Sequence, residues 1–164
     1  MLHPSITFDK VTLNDNVSLV RVIRAVFDEY QAPKQGTVYS DPAINDLYEL
    51  FKTPKSVLWV AKVDGEVVGC CGVYPTPNLP KTCAELVKFY LAAETRGKGI
   101  GKELMRRSIL SAKEFGYNQL YLESIPAFSK AISIYQRLGF FMLDKPMGAS
   151  GHNACNIWML KELD

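Results

Sequence analysis

The chain has 164 residues, 48% of them apolar, with 19 basic and 17 acidic side chains and a formal net charge of +2. That is one domain's worth of an ordinary globular protein, long enough to bury a core, and its charge is too small to mark a dedicated nucleic-acid binder. No apolar run reaches bilayer length, and Met1-Leu2-His3-Pro4 has neither a basic nor an apolar leader region, so neither a membrane partner nor a secretory signal is expected.

Ile6, Phe8 and Val11 sit among polar neighbours and read as a short edge strand. Asn14 or Asp15 can cap a helix that carries Val17, Val20, Ile23, Val26 and Phe27 on one face and stops before Pro33. Gln31 to Asp41, with Pro33, Gly36 and Tyr39, reads as a mobile loop. A weaker helix follows Asp41-Pro42, with Ile44, Leu47, Tyr48 and Phe51 as its stripe. Val57 to Val63 and Glu66 to Tyr74 are valine-rich runs joined by Asp64-Gly65, the signature of a β-hairpin. Pro75 to Pro80 is a loop, and Cys83 to Leu91 is a further strand.

Gly99 to Phe115 has a helical stripe of Ile100, Leu104, Met105, Ile109, Ala112 and Phe115, with Gly116 as its stop. Gln119 to Ser124 reads as a strand, and Pro126 opens a helix with Phe128, Ala131, Tyr135 and Leu138 on one face. Gly139-Phe140-Phe141 begins another strand, and a last one runs from about Ala154 to Leu160. No repeat, low-complexity tract or linker divides the chain, so residues 1–164 are expected to form a single domain. The four cysteines, Cys70, Cys71, Cys83 and Cys155, form no C-x-x-C pair and no metal-ligand spacing. Free thiols, a cytoplasmic location and no metal are expected.

The stretch from Phe89 to Lys102 carries the chemistry. A strand runs into Arg96-Gly97-Lys98-Gly99-Ile100-Gly101-Lys102 and then into the long helix. Glycines without a Cβ let backbone lie against a bulky ligand. The first amides of a helix lack internal partners and sit at the positive end of its dipole. With Arg96, Lys98 and Lys102 beside them, the expected ligand is a phosphate or pyrophosphate. The string is not a Walker A loop, and its G-x-G-x-G spacing fails the dinucleotide fingerprint.

R-G-x-G-I-G after E-L-V-K-F-Y-L instead resembles motif A of the GCN5-related N-acetyltransferases (the GNAT superfamily), and the element order resembles that family along nearly the whole chain. The resemblance implies a mixed α/β fold: a mostly antiparallel seven-stranded sheet with a central, splayed parallel pair, flanked by about four helices. It implies acetyl-CoA as co-substrate, with its pyrophosphate on Arg96, Gly97, Lys98, Gly99, Ile100, Gly101 and Lys102. The acetyl carbonyl and pantetheine would lie along Phe89, Tyr90 and Leu91. The first two helices and their connection would form much of the acceptor wall.

Tyr135, in A-I-S-I-Y-Q-R-L-G-F, matches the family's A-x-x-x-Y-x-x-x-G-F tyrosine, which protonates the departing thiolate; on spacing alone it is equally a core aromatic. Phe128 departs from the pattern, because many members carry a CoA-contacting asparagine there. Glu85 matches a position at which some members place a general base, and its plain alternative is a surface carboxylate paired with a lysine. Glu123 is a second base, acting through water, or a solvated strand end. His152 and Tyr39 are candidate acceptor ligands, and Cys155 is a candidate thiolate or simply a packed thiol. The activity implied is acetyl transfer from acetyl-CoA to a primary amine, of a small molecule or of a peptide or protein, by direct attack in a ternary complex. The alternative is a non-catalytic acyl-CoA-binding sensor. Family members often dimerise, so a homodimer is expected as an option.

Overall fold

The computed structural model describes residues 3–164. Its most locally determined feature is the hairpin of β2 (Val57–Val63) and β3 (Glu66–Tyr74). Asp64 (φ 50°) and Gly65 (φ 84°) both lie in the left-handed region, the turn geometry whose twist matches paired strands. Built on to this hairpin, in chain order, are β1 (Ile6–Lys10), α1 (Asn16–Glu29) and α2 (Leu47–Leu50) before it, and β4 (Cys83–Leu91), α3 (Ile100–Glu114), β5 (Gln119–Ser124), α4 (Ser129–Arg137), β6 (Phe141–Met142) and β7 (Ile157–Glu162) after it. The seven strands form one sheet in the order β1-β2-β3-β4-β5-β7-β6, and β4 with β5 is its parallel pair. This is the mixed sheet with four α-helices that the sequence implied.

The two faces are covered separately. Leu104, Met105 and Ala112 of α3, together with Tyr135 of α4, pack on Ala61, Val73, Ala84, Leu86 and Leu122. Leu19, Ile23 and Phe27 of α1 pack on Leu58, Val60 and Cys70 on the other side, with Ile44 and Leu47 beside them. At roughly 1.5–3 kcal/mol per fully buried large aliphatic or aromatic side chain, these two layers supply most of the driving force for folding.

Several local expectations need correction. The buried stripe of α1 is Leu19, Ile23, Val26 and Phe27; Val17 is 71% exposed, because the face that meets β3 starts two residues later. Asp15 holds the helix entry, but its carboxylate accepts from the Thr12 amide (2.8 Å) and pairs with Lys62 (2.9 Å). The second helix is a 3₁₀ stretch, Pro42–Asp46, followed by one α-turn. Pro126 opens a 3₁₀ turn, and α4 starts only at Ser129. Glycine at 139 precedes a strand of just two residues, and the last strand begins at Ile157.

The Gln31–Asp41 segment is pinned rather than mobile. Thr37 is buried and its hydroxyl donates to the Pro33 and Lys34 carbonyls (3.1 and 2.6 Å). At its centre the Gly148–Asn156 segment crosses it, with the Ala154 amide donating to the Gly36 carbonyl at 3.0 Å. Gly36 has φ 75°, and a Cβ there would run into the Asn153 side chain. Gly36→Ala is therefore expected to cost about 1–2 kcal/mol. For a chain of this size that lowers Tm by roughly 2–8 °C; an unchanged calorimetric Tm would show that the crossing yields freely.

Candidate active site

The sheet opens where β4 and β5 stop pairing. Their register covers Cys83 with Gln119, Ala84 with Leu120 and Glu85 with Tyr121, and then ends. Beyond that point β4 still pairs with β3 but has no neighbour on its other edge, so backbone groups from Leu86 to Leu91 face a gap. The gap continues into a cleft of about 890 Å³.

A bulge shapes that edge. Cys70 pairs with Tyr90 and Gly72 with Val87, which leaves Lys88 and Phe89 opposite Cys71 alone. Lys88 takes φ 58°, and its carbonyl accepts from the Cys70 thiol at 3.0 Å. The extra residue shifts the strand's alternation by one, so Phe89 and Leu91 join Leu86 on the α3 side while Tyr90 faces α1.

One end of the cleft is built to hold an anion. Gly97 (φ 79°) and Gly99 (φ 82°) line it in left-handed conformations, with no protein atom within 4 Å of where a Cβ would stand. Gly99 is the N-cap of α3, so the free amides of the helix start and its positive dipole end meet the cleft there. Lys102, Arg106, Lys113, Lys130 and Arg137 also line it. Glu103, the acid in the first turn of α3, is held by Arg106 (2.8 and 2.7 Å) and Arg107 (2.9 Å). Those bonds hold its carboxyl down at about 2 and offset its charge next to the anion site.

The other end holds carboxylates. Glu85, only 4% exposed, sits at the last paired position of the split and accepts from the Thr76 hydroxyl at 2.6 Å. Burial, and secondarily the charge of Glu123, push its carboxyl up to about 7 against the pull of Thr76 and Lys88. Glu123 lies two residues beyond the paired part of β5, accepting from the Tyr121 hydroxyl at 2.7 Å and from the Ser150 hydroxyl. Both carboxylates line the cleft. A buried carboxyl near neutrality beside a second, well-solvated-by-hydroxyl carboxylate is suited to take up a proton.

The remaining candidates fall into place around these ends. Tyr135 lines the cleft with its ring against Phe89 and Phe140 (centroids 6.1 and 5.8 Å), and burial keeps its hydroxyl protonated far above the ordinary tyrosine range. It is thus both a core aromatic and a cleft residue. His152 lines the cleft and bonds Asp41 through Nε2 at 2.8 Å, and its amide donates to Ser150. Burial works against ionisation of Asp41, but the bonds from His152 and the Ala43 amide, with the field of Lys88, outweigh it and hold the carboxyl low.

Arg96 is committed elsewhere. Its guanidinium donates to Glu29 (2.6 and 2.8 Å), the Tyr30 hydroxyl (3.1 Å) and the Leu91 carbonyl (2.8 Å). Its amide bonds the Ala93 carbonyl, so Arg96 fastens the loop to α1 rather than offering a free charge. Ile100 turns its side chain into the core and Lys98 is exposed. Tyr39 packs behind the wall, edge-on to Phe27 (5.8 Å) and under Arg24 and Lys34, while Val38 beside it lines the cleft. Burial pushes the Cys155 thiol up to about 12, which makes it a packed thiol and not a thiolate. Phe128 stacks edge-on to Phe27 (5.2 Å) and Tyr30 (5.8 Å), forming an aromatic wall in place of a polar contact.

Sequence reasoning missed Asp41, Thr76, Lys88 and Ser150. Only Lys88 left a signal, as a lone cation inside the apolar run Leu86-Val87-Lys88-Phe89-Tyr90-Leu91. Among the described residues no group of three or more His, Cys, Asp or Glu side chains is arranged to hold a metal ion, and no helix is long and apolar enough to cross a membrane.

A parallel strand pair parting over a glycine loop at a helix N-terminus is the architecture of a coenzyme-A-dependent acyltransferase. Comparison with known proteins agrees. Residues 23–140 match the family model described as "Acetyltransferase (GNAT) family", and the chain belongs to that family. It is 37% identical over 155 residues to the Escherichia coli K12 protein named "Uncharacterized N-acetyltransferase YjgM", covering 94% of this chain and 93% of that one. An acetyltransferase of the GNAT family from Staphylococcus aureus Mu50 shares the fold with a TM-score of 0.85 at 20% identity, over 98% of this chain and all of that one. So does the PaiA N-acetyltransferase of Thermoplasma acidophilum, solved in complex with coenzyme A, with a TM-score of 0.71 at 22% identity over 96% and 99% of the two chains. The protein is an acetyl-CoA-dependent acyltransferase.

The glycine loop fits a pyrophosphate sterically, since the space beside Gly97 and Gly99 is open to a ligand. Gly99→Val fills that space and strains a left-handed backbone. It should weaken acetyl-CoA binding at least a hundredfold in calorimetry while the unfolding transition remains cooperative. An unchanged affinity would mean that the anion lies elsewhere.

Proposed function

We propose that the protein transfers the acetyl group of acetyl-CoA to a primary amine by direct attack in a ternary complex. The observation that carries this is the unpaired edge of β4 from Leu86 to Leu91, lying between a cationic glycine loop and two carboxylates, the buried Glu85 and the half-buried Glu123. The amides of Gly97 to Lys102, with the Lys102 and Arg106 side chains, hold the pyrophosphate, and the free edge at Phe89 to Leu91 takes the pantetheine and the thioester carbonyl. Backbone N–H groups fixed in a sheet can hold a developing oxyanion with little reorganisation. The amine enters from the opposite end, past Val38, Phe128 and His152.

An alkylamine is almost fully protonated at neutral pH, so one proton must leave before attack. Glu85 accepts it, directly or through water at Glu123. Its raised pKa suits this, because a base near neutrality keeps a substantial ionised fraction and is basic enough to act. When the tetrahedral intermediate collapses, the thiolate departs and Tyr135, held protonated by burial, donates a proton to it. Cys155, protonated and packed, takes no covalent part.

Two measurements test these roles. Glu85 works only as the carboxylate, so kcat/KM should break downward as pH falls through about 7, in addition to the slope from protonation of the amine itself. Glu85→Gln removes that break; an unaltered profile would pass the role to Glu123, His152 or solvent. Tyr135→Phe should lower kcat by about 10²–10⁴-fold with acetyl-CoA affinity preserved. Turnover at the wild-type rate would leave Tyr135 as core packing alone.

A further inference from the structure

A lysine amine without a hydrogen-bond or ion-pair partner sits at the carboxylate end of the cleft. Lys88 is 8% exposed and lines both the main cleft and a pocket of about 110 Å³ that adjoins it beside Asp41, Glu85 and His152. Among the described residues every ion pair is made by another cation, and no hydrogen bond is made by the Lys88 side chain. Its Nζ is not sealed in the interior either, since among the described residues the one fully occluded polar side-chain atom without a partner is Arg24 Nε. Lys88 is therefore largely withdrawn from bulk water while it lines the cleft and its side pocket.

Such an arrangement is costly without a counter-ion. The nearby anions act on it at a distance but neither pairs with it directly. Asp41 is committed to His152 (2.8 Å) and the Ala43 amide (3.0 Å), and Glu85 to Thr76 (2.6 Å). Burial pulls the lysine's pKa down, whereas the charges of Glu85 and Asp41 pull it back up. An incoming anion would complete the site. Lys88 lies within the electrostatic reach of Glu85, at the end of the cleft to which the proposed reaction brings the acceptor.

We infer that Lys88 binds a carboxylate of the acceptor, and that the acceptor is a free α-amino acid whose amine is thereby turned towards Glu85. This rests on the amine-acetylation reading above. A polyamine would set a second cation against Lys88, and the N-terminus of a protein carries a neutral peptide group where an amino acid carries its carboxylate. Phe27, Phe128 and Val38 line the neighbouring wall and take the side chain.

The test compares each standard α-amino acid with its decarboxylated amine. Binding to the CoA-saturated protein is measured by calorimetry, and acetyl transfer by thiol release. The best-bound amino acid should exceed its amine at least thirtyfold in affinity. Lys88→Met should reduce that ratio to below threefold, leaving the amine's own affinity and the acetyl-CoA affinity within threefold of wild type, and Lys88→Arg should restore part of the preference. Methionine tolerates the left-handed backbone no worse than lysine, and Tm reports on folding. If no amino acid outbinds its amine in the wild type, or if Lys88→Met weakens acids and amines equally, the inference is overturned, the second result assigning Lys88 to tuning Glu85. Thiol release from no acceptor would sink the amine-acetylation reading, and the binding ratios would still decide the role of Lys88.

Discussion

The pairing of β4 with β5 stops after three residue pairs, and the rest of the site depends on that stop. A parallel pair continued to the strand ends would consume the backbone groups of Leu86 to Leu91 and close the cleft. The bulge at Lys88 reinforces the parting, because an extra residue on the β4 side of the β3 ladder bends the strand and shifts its side-chain phase. The helices then keep the strands apart: α3 lays Gly101 against Phe89 and Leu91, and α4 sets Tyr135 against Phe89. The cleft is thus a product of register as much as of composition.

The gap is electrically polar along its length. Helix amides, Lys102 and Arg106 make one end attractive to phosphate, while Glu85 and Glu123 make the other end proton-accepting. Three ion pairs order the cationic end. Glu103 is offset by Arg106 and Arg107 at the helix start, and Arg96 is tied to Glu29 so that the loop is anchored to α1. The Gly148–Asn156 segment ties the acceptor end together: Ser150 reaches Glu123, His152 reaches Asp41 and Ala154 reaches Gly36. A segment without regular structure thereby braces the wall at the carboxylate end of the cleft.

The fold and the glycine loop were legible in the sequence because they rest on local signals. Asp64-Gly65 dictates its turn, the stripe from Ile100 to Ala112 dictates a helix, and the glycines before it mark close backbone approach. The particular sheet order came from resemblance, since periodicity does not say which strands are neighbours. Glu85 was legible as an acidic residue in an apolar strand. Lys88 was legible as a lone cation in that strand but not in its placement: strict alternation would set it on the same face as Ala84 and Leu86, beneath α3, and the bulge shifts that alternation. The roles of Ser150, Asp41 and Thr76 come from contacts across 27, 111 and 9 positions of the chain, which no local pattern encodes. Val17 was misread for a simpler reason: a helix start has apolar residues on two adjacent faces, and the sheet selects one.

Amide hydrogen exchange with and without acetyl-CoA bears most directly on the claim that the opened strand pair is the cofactor site. Slowed exchange is expected along the β4 edge, Leu86 to Leu91, and in the loop and first helical turn from Gly97 to Glu103, with α1 and β2 unchanged. Protection absent from the β4 edge, or centred on another part of the sheet, would contradict it.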